Sequence, residues 1–110
     1  MAKKTFTPKL VRDKIPDLMR ADGEKPVVRV LNANEMSTAL DAKMIEENNE
    51  YLAALSPDHK LGEHADILEV TFARAALLGK KPEDLLAAAQ QKREAKGGFT
   101  QNLFIDKMKS

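Results

Sequence analysis

The chain has 110 residues, enough for one domain, and carries 18 Lys plus Arg against 17 Asp plus Glu, a formal charge of +1. So close a balance gives no overall field toward nucleic acid or anionic lipid, and the absence of cysteine excludes disulfides and thiolate chemistry. No apolar run approaches the roughly 18–20 residues of a membrane span, and MAKKTFTPKL lacks the apolar centre of a signal peptide, so the expected location is cytoplasmic.

From Lys9 to Arg20, KLVRDKIPDLMR predicts a short helix or turn, with Pro16 breaking any helix that begins before it. ADGEKP is a polar loop, and the β-branched run Val27 to Leu31 is of strand type, though too short and solitary to define a sheet. Asn32 or Asn34 can cap a long helix running from Glu35 to about Leu55, which Ser56-Pro57-Asp58 then ends. A second long helix is expected from about Leu61 to Leu78, closing at Gly79. Its apolar residues point in nearly every direction, as in a helix packed on several sides or at a subunit interface. Pro82 opens the third, where a proline at the first position loses no hydrogen bond. Glu83 and Asp84 suit the positive end of its dipole, Lys92, Arg93 and Lys96 the negative end, and Gly97 its left-handed stop. A short extended piece is expected around Leu103 to Ile105. The predicted fold class is all-α: an antiparallel bundle of three main helices with a short N-terminal helix and minor extended segments, as a single domain over residues 1–110.

Two positions break the pattern. At about 100° per residue, Met36, Leu40, Met44, Tyr51 and Leu55 form one stripe, and Glu47 stands inside it; on the next helix Asp66 stands in a stripe with Val70, Ala73 and Leu77. A bare buried carboxylate is costly enough to change its protonation state instead. Glu50 lies one turn beyond Glu47 and Glu63 one turn before Asp66, so ExxE and ExxD each present a pair on one helix face. The short SPDHK connection favours an antiparallel hairpin. At about 1.5 Å rise per residue, all four carboxylates then lie at similar height. Glu pairs at this spacing usually mark a solvated face, but two pairs that both intrude on apolar stripes across one hairpin argue against that reading. No Lys or Arg occupies a corresponding position, Lys43 being the nearest, and Glu46 and Glu69 flank the pairs as solvated groups. A histidine-free oxygen set suits Mg²⁺, or Mn²⁺, better than zinc. Magnesium commonly joins carboxylates to substrate phosphates, which points to phosphate chemistry.

With these motifs the sequence resembles the MazG-like branch of the all-α nucleoside triphosphate pyrophosphatases, which includes the phosphoribosyl-ATP pyrophosphohydrolases. The family's ExxE and ExxD are matched by Glu47, Glu50, Glu63 and Asp66, with the residues Tyr51 to Gly62 between the halves. KLVRDKIP and KREAKGGF further resemble a small stand-alone subgroup expected to clean up nucleotides, and the likeness spans residues 9–104. It implies Mg²⁺ held by the four carboxylates and cleavage of a nucleoside triphosphate between its α and β phosphates, giving a monophosphate and pyrophosphate. Glu50 is assigned as the base that takes the water's proton, although the spacing does not decide between Glu47 and Glu50. Phosphate partners are expected from Lys92, Arg93 and Lys96, with Lys9, Arg12 and Lys14 as a second source, and Asp13 is expected to orient Arg12. The alternatives are a phosphoribosyl-ATP pyrophosphohydrolase, or a metal-stabilised helical interaction module without turnover. His59 is assigned to the hairpin loop, His64 away from the site, and Tyr51, Phe6, Phe72, Phe99 and Phe104 to core or interface. The expected partners are a nucleotide substrate and further copies of the chain, as a homodimer or homotetramer, without nucleic acid or membrane.

Overall fold

Pro16 sits in the first turn of α1 (Ile15–Ala21), where its missing N–H would have had no helical partner in any case. The computed structural model describes residues 7–110, and among them three longer helices follow: α2 (Ala33–Ala53), α3 (Pro57–Leu77) and α4 (Pro82–Lys96). No strand forms among the described residues. The run Val27 to Leu31 and the piece Leu103 to Ile105 both fail as strands. A ladder needs a partner, and Val27, Val30, Leu103 and Phe104 stand exposed without one.

The cap of α2 is Asn32 rather than Asn34. Its side chain accepts from the Glu35 N–H at 2.9 Å, and the Glu35 carboxylate accepts from the Asn32 N–H at 3.2 Å, a reciprocal capping box. Arg29 adds a further bond to Glu35 at 2.8 Å. The motif Ser56-Pro57-Asp58 acts in two directions. It stops α2, and it also starts α3 one turn earlier than expected: the Ser56 hydroxyl accepts from the His59 N–H at 3.1 Å, and Pro57 takes the first helical position. Only Ala54, Leu55 and Ser56 separate the helices, so α2 and α3 form a tight antiparallel pair packed along their length. Near the opposite end Arg74 ties α3 to Asp41 of α2.

At the end of α3 the chain turns at Gly79 (φ 74°), and Gly97 (φ 84°) stops α4; both lie in the left-handed region that glycine enters at least cost. α4 packs on α3 but not on α2. Only Leu85 of α4 is even half-buried, so most of that helix leaves the bundle. The core is thin: among the described residues Leu40, Ala54, Val70 and Ala75 are the buried apolar ones, while Ile45, Leu52, Leu61 and Leu68 remain exposed. A radius of gyration of 18.7 Å confirms an elongated shape, against about 13 Å for a compact chain of 100 residues. α3 does meet two neighbours, but neither covers its whole apolar circumference.

Candidate metal centre

The face that α2 turns toward α3 carries Leu40 and Glu47, both buried, with Met36, Met44 and Tyr51 half-buried. Leu55, expected to extend that stripe, is 97 % exposed because α2 ends before it. Glu47 thus occupies the apolar seam itself, and its side chain is only 8 % exposed. Glu50 follows one turn later on α2, in solvent, and Glu63 reaches the seam from α3 with a side chain 12 % exposed. One carboxylate oxygen from each of the three lies within 4.8 Å of the others.

The Oε2 atoms of Glu47 and Glu63 are buried without a hydrogen-bond partner. Polar atoms in that condition carry a desolvation cost unless something else satisfies them. Burial pushes the Glu47 carboxyl above its usual range, and the neighbouring Glu50 carboxylate pushes in the same direction. Lys43 opposes the shift, with its Nζ 3.4 Å from Glu47 Oε1 and 3.5 Å from Glu46 Oε2. One lysine shared in this way leaves the cluster anionic.

Asp66 stands apart from the three. Arg12 Nη2 donates to its Oδ1 at 2.6 Å, although its charge still bears on Glu47. Two expectations are corrected here. The four carboxylates are not free of basic residues, because Arg12, remote in sequence, meets Asp66 while Lys43 meets Glu47. Arg12 also turns to Asp66 rather than to Asp13, its neighbour in the chain, with which it forms no ion pair.

His59 is the site neighbour that sequence reasoning passed over. With α3 starting at Pro57 it belongs to the first helical turn rather than to a loop, one turn before Glu63, and its Nε2 lies 3.3 Å from Glu63 Oε1. The i,i+4 spacing was visible, but only the earlier helix start makes it meaningful. His64 packs at a tilt against Tyr51 with ring centroids 4.3 Å apart, and Lys60 lies over the same ring and donates to the Tyr51 carbonyl at 3.1 Å. Tyr51 is therefore a packing residue.

The basic residues divide. Arg12 reaches the acidic seam, whereas Lys9 and Lys14 are exposed, Lys14 preceding α1 as its cap residue. Lys92, Arg93 and Lys96 stand exposed on α4, where Arg93 donates to Gln90 at 2.9 Å, and none of the three pairs with a seam carboxylate. Phe99 and Phe104 are exposed, Phe72 is half-buried, and Phe6 lies outside the described residues. Surface depressions beside Arg74 and Leu77, and beside Arg29 and Thr38, contain none of the four carboxylates.

The donor set passes the test of chemistry for a hard divalent cation. It is made of carboxylate groups, two of which bury an unpartnered oxygen, drawn from two helices that a short hairpin holds together. Among known proteins, an uncharacterized protein of Mycolicibacterium smegmatis is 52% identical over 52 residues, which is 47% of this chain and 53% of that one. The chain thus spans about half the length of the curated relative it matches. No protein-family model matches the chain, and no solved structure does.

Proposed function

We propose that this protein is a Mg²⁺-dependent nucleotide pyrophosphohydrolase that cleaves the α–β phosphoanhydride of nucleoside triphosphates, releasing a monophosphate and pyrophosphate. The observation that carries the reading is the meeting of Glu47, Glu50 and Glu63 at the α2–α3 seam, one carboxylate oxygen of each within 4.8 Å of the others, where Glu47 and Glu63 each also bury an oxygen without a hydrogen-bond partner. Glu47, Glu50 and Glu63 would hold the cation, with Asp66 one turn further along α3. A bound divalent ion supplies charge neutralisation for the polyphosphate, orientation, and activation of water. Glu50 is the exposed member of the set, so its carboxylate is the one a solvent molecule reaches and the one suited to accept the water's proton. Glu47, held in the seam, fixes the position of the others. The resemblance in ExxE, ExxD, KLVRDKIP and KREAKGGF supplies the choice of bond, and it favours house-cleaning of nucleotides.

We further assign the working form to a homo-oligomer in the cytoplasm. The thin core and the exposed Ile45, Leu52, Leu61 and Leu68 favour a second copy closing over the site. The test is pyrophosphate release from a panel of canonical and damaged nucleoside triphosphates and phosphoribosyl-ATP, with and without Mg²⁺, for the wild type and Glu50→Gln. Metal-dependent release lost in the variant is the expected result. Metal-dependent stabilisation with no turnover on any substrate would replace the enzyme with a metal-stabilised interaction module.

A further inference from the structure

Arg12 and Asp66 meet across 54 positions of sequence. Among the described residues theirs is the long-range hydrogen bond that ties the segment before α2 to the α2–α3 pair; Arg29, on the same segment, bonds only six positions away at Glu35, and α1 packs against no other helix. The pair is also half exposed, at 54 % and 41 % for the two side chains. Water competes for both partners at such exposure, so the contact is easily exchanged.

Asp66 is one turn from Glu63 on α3, and its charge already bears on Glu47. It belongs to the electrostatics of the seam while Arg12 occupies its oxygen. A divalent cation entering among Glu47, Glu50 and Glu63 competes with the guanidinium for Asp66 and repels it at the same time. We propose that Arg12 and Asp66 form an exchangeable pair: the cation takes Asp66, and the released guanidinium takes the oxygens of an incoming polyphosphate. Each partner keeps an opposite charge throughout, the carboxylate trading guanidinium for metal and the guanidinium trading carboxylate for phosphate. This rests on reading the seam as a metal centre, and it adds a coupling between metal and anion that is reciprocal by linkage. Arg12 thereby acts as a positioning residue that senses metal occupancy before it contacts the anion.

The full chain, at 12.2 kDa, is small enough for the guanidinium N–H signals of Arg12 to be followed by NMR and assigned through Arg12→Lys. Mg²⁺ alone is expected to move them toward the position of a free, solvated arginine, and inorganic tripolyphosphate added at saturating Mg²⁺ to move them back toward a paired one. Calorimetry should show Arg12→Ala binding Mg²⁺ about two- to fivefold more tightly, the scale of losing an exposed ionic competitor. The same variant should bind tripolyphosphate at saturating metal about tenfold more weakly, the scale of a lost charge-assisted contact. Arg12 signals unmoved at saturating Mg²⁺, or an Arg12→Ala variant that binds Mg²⁺ no better than wild type, overturns the exchange. If Mg²⁺ binding is present and lost in Glu47→Gln, that failure leaves the metal centre standing. If no Mg²⁺ binds at all, both fall together.

Discussion

The α2–α3 seam and the α4 arm carry charge for different reasons. In the seam, Glu47 is buried among apolar neighbours and Glu63 nearly so, each with an oxygen left unpartnered. On α4, Lys92, Arg93 and Lys96 cluster as densely in sequence yet stand in solvent at a helix end, where the dipole alone accounts for them. Clustering of like charge says little, whereas charge held where folding should have removed it says that something offsets the cost. The same contrast separates Arg12 from its chain neighbours Lys9 and Lys14, because only Arg12 reaches a seam carboxylate.

This contrast is exposed to experiment at several strengths. The largest effect is expected at Glu47: replacement by Gln should lower Mg²⁺-dependent pyrophosphate release by on the order of 10²–10³-fold, the scale of losing a group that stabilises developing charge. At a pH where Glu47 is ionised, the metal-free variant should nevertheless melt higher than wild type, since the cost of burying that charge exceeds the pull of Lys43 on it. A drop in both activity and stability would make Glu47 a structural residue. Next, Leu40→Ala should cost about 2–4 kcal/mol in denaturant unfolding, while Leu55→Ala, at an exposed position beyond the end of α2, should stay within about 0.5 kcal/mol.

The pH dependence of the metal-free protein follows from Glu47 as well. Its carboxyl lies above the usual range when folded, chiefly through burial. Between the ordinary carboxylate pKa and that raised value, the folded state therefore holds a proton that the unfolded state has released. Stability is fully present below the ordinary range and falls as pH rises through the raised pKa. Unfolding curves from about pH 4 to 8 should show this decline, and Glu47→Gln should flatten it. The smallest effect is expected on α4. Neutralising Lys92, Arg93 and Lys96 together should change kcat/KM less than about threefold in a site that takes its cation–phosphate contacts from the seam, below the 1.4 kcal/mol of a tenfold change. A larger loss, confined to KM, would bring that helix end to the phosphates, across a subunit boundary if not within one chain.

The sequence alone determined the helices and flagged the carboxylates, because both depend on local rules. Helical periodicity and turn chemistry put α2, α3 and α4 where they are to within a turn, and Glu47 was conspicuous because it interrupts a stripe read at helical spacing. Local signals are ambiguous where they point two ways: Ser56-Pro57 is both a stop and a start, and the β-branched run from Val27 has no partner strand to make it a sheet. Only the tertiary structure decided which charges meet between segments. Arg12 reaching Asp66, and Asp66 standing apart from the other three carboxylates, depend on how distant segments pack, whereas Lys43 meeting Glu47 is an i,i+4 contact within α2 that helical spacing already allows. No periodicity encodes a contact between side chains 54 positions apart, because its strength is set by distance and exposure in space rather than by spacing along the chain.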